Sequence, residues 1–89
     1  MKNDPHQRVA FNLRRLRVAR GISQERLALE ANVDRSYVGR LERGLENPTI
    51  AILERLADTL GVSTHELLAK PRGPSAKTLP GGRRKKSTD

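Results

Sequence analysis

Apolar residues recur at helical spacing along the first twenty positions: Val9, Ala10, Leu13 and Leu16 share a face, with Val18 as a further candidate. Arg8, Arg14, Arg15 and Arg20 take the other faces. Asp4-Pro5-His6-Gln7 reads as the start of this helix. Asp4 can cap, proline suits the first helical position, and Gln7 stands where a capping box places its second member. Arg20-Gly21 closes it, cation before glycine. Phe11 lies off the stripe; it either fills a gap against the last helix or stays partly exposed.

Ser23 caps a second, short helix with Leu27, Ala28 and Ala31 inward. Asn32 follows where the chain must turn sharply, and asparagine accepts a left-handed backbone better than most non-glycine residues. Val33 points inward. Asp34 caps a third helix running through Arg43, with Val38 and Leu41 as its inward pair and Gly44 as its stop. A polar loop through Asn47-Pro48-Thr49 opens a fourth helix with Ile52 or Leu53, Leu56, Ala57 and Leu60 on its stripe, ended by Gly61. Ser63 with Glu66 is a second capping box and starts a last helix holding Leu67 and Leu68. No alternation is long enough for a strand. The expected fold is all-α, five short helices in one compact unit.

The pattern fades after Lys70. Residues 71–89 hold turn formers, one large aliphatic (Leu79) and the block Arg83-Arg84-Lys85-Lys86. Such a segment cannot bury enough surface to offset its ordering entropy. The domain is therefore expected over residues 4–70, with a basic, disordered tail over 71–89. Net charge is +8: residues 1–70 carry twelve Lys or Arg against nine Asp or Glu, and residues 71–89 carry six against one. A basic domain with a more basic tail points to a polyanionic partner, nucleic acid before membrane.

The second and third helices are separated by only the few residues from Glu30 to Val33, too few for antiparallel packing. Their axes must cross steeply, as in a helix-turn-helix. Such a pair suits DNA because the third helix fits a major groove about 12 Å wide. The N-terminus of the second, with unpaired N–H groups and a positive dipole end, then faces flanking phosphate.

Residues 15–28 (RLRVARGISQERLA), 31–38 (ANVDRSYV), 41–44 (LERG), Asn47-Pro48-Thr49 and Leu60-Gly61-Val62-Ser63 together resemble the phage Cro and C1 repressor family of helix-turn-helix regulators (XRE-like). The compact form and the Asp34-Arg35-Ser36-Tyr37-Val38 opening are similar to restriction–modification controller proteins. This resemblance implies a lambda-repressor-like fold and a sequence-specific regulator. It would bind double-stranded DNA as a homodimer on a palindromic operator, with a recognition helix over about 34–43.

The resemblance also implies roles. Gln24 matches a phosphate-gripping glutamine, and Tyr37, Arg43 and Asn47 match further backbone contacts. Arg35, Ser36 and Arg40 fall where family members reach base edges, and Arg17 with Glu42 matches a largely buried ion pair. An arginine presents two parallel donors to guanine O6 and N7, so guanine is expected in the half-site. The open alternatives are a phosphate contact or a solubilising role for Arg35 and Arg40, and packing over the end of the second helix for Tyr37. Two positions depart from the family: Asn32 stands where glycine is usual, and Gly39 interrupts the recognition helix. Either that helix approaches DNA closely at Gly39 or one base contact is absent.

Half-sites about 34 Å apart require a dimer. Its surface is expected at the end of the fourth helix and on the fifth, through Val62, His65 and Leu68. The tail residues Arg83, Arg84, Lys85 and Lys86 are expected either to add affinity by meeting phosphate or only to keep the protein soluble. The chain has no cysteine, His6 and His65 are isolated, and no carboxylate cluster has metal-ligand spacing. Neither an enzyme, a metal nor a cofactor is expected. No apolar run approaches a signal peptide or membrane span, which favours a bacterial cytoplasmic protein, nucleoid-associated when bound. The second functional reading is an antitoxin that neutralises a toxin and autoregulates. A toxin and RNA polymerase are the candidate protein partners.

Overall fold

The computed structural model describes residues 4–71, and the tail segment with Arg83 to Lys86 lies outside the described residues. Its elements are α1 (Pro5–Ala19), α2 (Gln24–Ala31), α3 (Arg35–Glu42), α4 (Ile50–Leu60) and α5 (Thr64–Leu68), with no strand among the described residues.

Each helix starts at a side-chain cap. Asp4, Ser23, Asp34, Thr49 and Ser63 accept from the backbone N–H of His6, Arg26, Tyr37, Ile52 and Glu66 respectively. Each cap thereby satisfies one of the orphan donors at its helix start. The hydrogen bond from His6 N–H is the main reason the Asp4 carboxyl sits below its usual range. The capping box expected at Asp4 does not close through the Gln7 side chain. That amide instead lies over Gly44, in the space that a Cβ at that position would need.

The ends of α1 to α4 share one geometry. A left-handed residue (Gly21, Asn32, Gly44 or Gly61) is followed by one whose N–H reaches a helix carbonyl five residues back, the Schellman arrangement. At Asn32 (φ 60°) the bond is Val33 N–H to Ala28 carbonyl, 2.9 Å. The residue following the left-handed position is Ile22, Val33 or Val62 in three cases, and each packs on the core. At the fourth it is Leu45, which stays 64% exposed.

The core is one cluster drawing on all five helices: Val9, Leu13 and Leu16 from α1, Leu27, Ala28 and Ala31 from α2, Val38 and Leu41 from α3, Leu53, Leu56, Ala57 and Leu60 from α4, and Leu67 from α5. Leu53 is the buried member of the Ile52/Leu53 pair, with Ile52 at the margin. Val18 is 56% exposed, because two residues past Leu16 turns a side chain about 200° around a 3.6-residue helix. Phe11, off the stripe, is also surface-exposed.

Helix α1 packs on α3 and α5, α2 on α3 and α4, and α4 on α5. Polar side chains of α1 and of its C-cap residue Arg20 tie these contacts by capping other helices. Asn12, buried to 1% exposure, donates from Nδ2 to the carbonyls of Leu67 (3.0 Å) and Ala69 (2.8 Å). Arg8 Nε donates to the Leu68 carbonyl and Arg20 Nε to the Leu60 carbonyl. The ends of α5 and α4 are thus closed from outside, so Arg8 and Arg20 are more than solvated charges.

Candidate nucleic-acid interface

Helices α2 and α3 are joined by three residues, Asn32 to Asp34. The left-handed Asn32 turns the chain, Val33 anchors the turn in the core, and Asp34 caps the next helix. The N-terminus of α2 and one face of α3 therefore border a common open cleft of about 670 Å³, lined by Arg17, Ser23, Gln24, Glu25, Arg35, Ser36, Gly39, Arg40 and Arg43. Of the residues assigned to DNA, Gln24, Arg35, Ser36, Arg40 and Arg43 line this cleft, whereas Tyr37 and Asn47 do not.

The floor is a charge network. Arg17 donates through Nε to Glu42 Oε2 (2.7 Å) and through Nη2 to Oε1 (3.0 Å), while Nη1 donates to the Ile22 carbonyl (2.8 Å). Gln24 Nε2 donates to the same Glu42 Oε1 at 2.9 Å. One carboxylate thus receives two guanidinium N–H groups and one amide N–H. The hydrogen bonds to Glu42, opposed by burial, hold the Arg17 guanidinium charged beyond its usual range. Gln24 Oε1 faces Gly39, 3.7 Å from where a Cβ would stand.

The rim is more exposed. Arg35 Nη1 is 3.9 Å from Glu25 Oε1, with both side chains more than two-thirds exposed, so the pair holds neither firmly. Arg40 is better placed: its Nε donates to Glu46 Oε2 at 2.6 Å, and its Cζ lies 5.9 Å from the Tyr37 ring centroid. Tyr37 is half-buried and packs against the core cluster. Burial raises its phenol pKa, and Glu46 raises it further while Arg40 opposes. Arg43 and Asn47 are exposed.

Away from the cleft, Val62 is half-buried against the core, and His65 and Leu68 are exposed. Among the described residues no group of His, Asp or Glu is arranged to hold a metal, and no helix is long and apolar enough to cross a membrane.

Sequence reasoning missed Glu46 beside Arg40, and Asn12 in the scaffold. Glu46 is six residues beyond Arg40, across a turn, so no helical periodicity relates them. A buried asparagine on an apolar face is a legible signal, but its acceptors lie fifty-five and fifty-seven residues away.

Two short helices joined by a tight left-handed turn, with a polar cleft along the second, define a helix-turn-helix protein. Residues 13–67 match the HTH_3 helix-turn-helix family, and the chain belongs to it, in the Cro/C1 (XRE) class of transcriptional regulators. A hypothetical transcription factor of Neisseria meningitidis serogroup B is 41% identical over 64 residues, which are 72% of this chain and 60% of that protein. A solved structure of such a factor from Neisseria superposes with a TM-score of 0.76 at 34% identity, covering 88% of this chain and 87% of that one. An HTH-type transcriptional regulator of Sinorhizobium fredii is 40% identical over 65 residues, 73% of this chain and 84% of the regulator. The restriction-modification controller protein C.AhdI of Aeromonas hydrophila superposes with a TM-score of 0.68 at 42% identity, over 70% of this chain and 94% of the controller.

Proposed function

We propose that the chain is a sequence-specific DNA-binding regulator that acts as a homodimer on a palindromic operator, with α3 in the major groove. The observation that carries this reading is the shared cleft, which sets Gln24 at the start of α2 beside Arg35, Ser36, Arg40 and Arg43 on α3. Gln24, Tyr37, Arg43 and Asn47 hold phosphate and so fix the register. Arg35, Ser36 and Arg40 reach base edges, and the two arginines are about 7.5 Å apart along the helix, enough to address different base pairs.

One recognition helix reads too few bases for useful selectivity, which is the reason for pairing. Val62, His65 and Leu68 form the dimer surface. Residues 4–70 are the DNA-binding domain, and the basic residues 83–86 meet phosphate with little discrimination. The coverage of the controller C.AhdI to 94% of its length supports a controller of its own and a neighbouring gene. An adjoining reading frame for a nuclease or methyltransferase would support that choice, and a small ribonuclease-like toxin gene would instead favour the antitoxin.

Selection from a randomised duplex pool tests the main reading, with light scattering of the free and bound protein. The expected result is a common palindrome bound by a dimer. Recovery of no common sequence, or a monomer at tens of micromolar with and without duplex, would overturn it.

A further inference from the structure

We propose that Glu46, outside the recognition helix, is a specificity-determining positioning residue: its carboxylate fixes the Arg40 guanidinium so that the outer N–H edge faces a base. The inference rests on the reading of α3 as the groove helix.

The local chain path puts Glu46 there. Gly44 takes a left-handed backbone (φ +76°), and Leu45 N–H bonds back to the Arg40 carbonyl at 3.0 Å. This turn reverses the chain and brings residue 46 alongside residue 40. It also leaves Leu45 exposed, where the residues at the three equivalent turns are packed on the core.

A free arginine side chain presents five donors in many rotamers. Here Nε is committed to Glu46 Oε2 at 2.6 Å, and the Tyr37 ring lies 5.9 Å from Cζ. One constraint fixes the proximal edge and the other backs the guanidinium. The two Nη groups remain as a parallel pair, the geometry that matches guanine O6 and N7.

A carboxylate beside a DNA-facing surface repels phosphate, so Glu46 lowers general affinity. Its side chain is nonetheless only 26% exposed and held against Arg40. Gain through orientation, and not through charge, is the role this placement fits. The arrangement differs from the Arg35–Glu25 approach, at 3.9 Å and largely exposed, which restrains little.

The test uses the full chain as wild type, Glu46→Gln, Glu46→Ala, Arg40→Ala and the Glu46→Ala/Arg40→Ala double variant. Each is measured on the duplex selected by the wild type and on duplexes with single base-pair changes, alongside thermal unfolding. Arg40→Ala should flatten the preference at one base pair per half-site by about tenfold. Glu46→Ala should flatten that same base pair by roughly threefold to tenfold and spare those read by Arg35, whereas Glu46→Gln, whose amide oxygen still accepts from Nε, should flatten it less. The double variant should lose no more there than Arg40→Ala alone, and random-duplex affinity should hold or rise in both Glu46 variants.

If Glu46→Ala keeps or sharpens a preference that Arg40→Ala flattens, the positioning role is wrong and Arg40 still stands as a reader. Uniform loss at every base pair with a lowered unfolding temperature would make Glu46 a scaffold residue and also overturn the proposal. If Arg40→Ala flattens no base pair, or the wild type selects no common sequence, base reading by Arg40 fails and takes the inference with it.

Discussion

Arg17 and Glu42 form a two-point ion pair that joins α1 to the last residue of α3, with side chains only 12% and 3% exposed. At that burial the pair behaves as an interior one, and losing one partner strands the other charge. Glu42→Ala should cost about 3 to 5 kcal/mol, comparable to the whole stability expected of so small a domain. Urea unfolding followed by circular dichroism checks this. A loss below about 1 kcal/mol would mean the pair acts like a solvated surface bridge.

The five helices are legible in the sequence because each carries its own signals within a few residues: Ser23, Asp34 and Thr49 at starts, Gly21 and Gly61 at ends, and inward residues at helical spacing. Asn32 is readable as a turn for the same local reason. What stays open depends on chain segments meeting. Gln7 fits a capping box locally, but its amide lies on Gly44, thirty-seven residues away and invisible to any local pattern. Arg8 and Arg20 are legible only as residues off the apolar stripe, and their acceptors at the ends of α5 and α4 are sixty and forty residues away. At the cleft, the residue types are legible from the resemblance, but the Gln24–Glu42 and Arg40–Glu46 bonds depend on how the α2–α3 corner and the Gly44 turn fold.

Asn12 caps α5 from the adjoining α1, through two carbonyl acceptors. Asn12→Leu keeps roughly the volume but leaves one buried and one half-buried carbonyl without their donor, at about 1 to 3 kcal/mol. Because α5 is only five residues long, it should fray first, seen as faster amide exchange over residues 64–68. If the dimer surface includes Leu68, this variant should also dissociate at higher concentration than wild type in sedimentation. Unchanged exchange in α5 would show that Arg8 alone secures its end.

Tyr37 is the only tyrosine, and the chain has no tryptophan, so its ionisation can be followed by ultraviolet absorbance without overlap. Its midpoint should lie above the ordinary phenol value of about 10, because burial and then Glu46 disfavour the phenolate. Glu46→Gln should lower the midpoint and Arg40→Ala should raise it. With the folded-state pKa raised, the two states bind equal protons well below pH 10. Above that pH the unfolded chain loses its proton first, so stability falls. Tyr37→Phe should remove this part of the alkaline loss; a midpoint at or below 10 would contradict the placement of the ring.

Residues 71–89 carry six Lys or Arg against one Asp, and their removal separates electrostatic from base-reading contributions. Truncation should weaken operator and random duplex by a similar factor. It should also reduce the slope of log K against log salt by about 0.9 for each phosphate that the tail neutralises. Arg35→Ala should instead collapse the preference for operator while changing the slope only slightly. Full affinity and an unchanged slope after truncation would leave the tail without a role on DNA.

Gly39 sets stability against binding at one atom. Glycine inside a helix costs about 1 kcal/mol relative to alanine, and it stands in α3 with the cleft on one side. A Cβ there would meet only Gln24 Oε1, at an ordinary 3.7 Å. Gly39→Ala should therefore raise stability by about 0.5 to 1 kcal/mol, with no strain to relieve. If α3 enters the groove along this face, the added methyl stands between helix and base edges, where a closely packed interface has no room for it. Affinity for the selected operator should then fall about tenfold or more, equivalent to about 1.4 kcal/mol, while random-duplex binding changes little. A stabilised protein with undiminished operator affinity would mean that the helix does not approach DNA closely at Gly39 and that the position lacks a base contact.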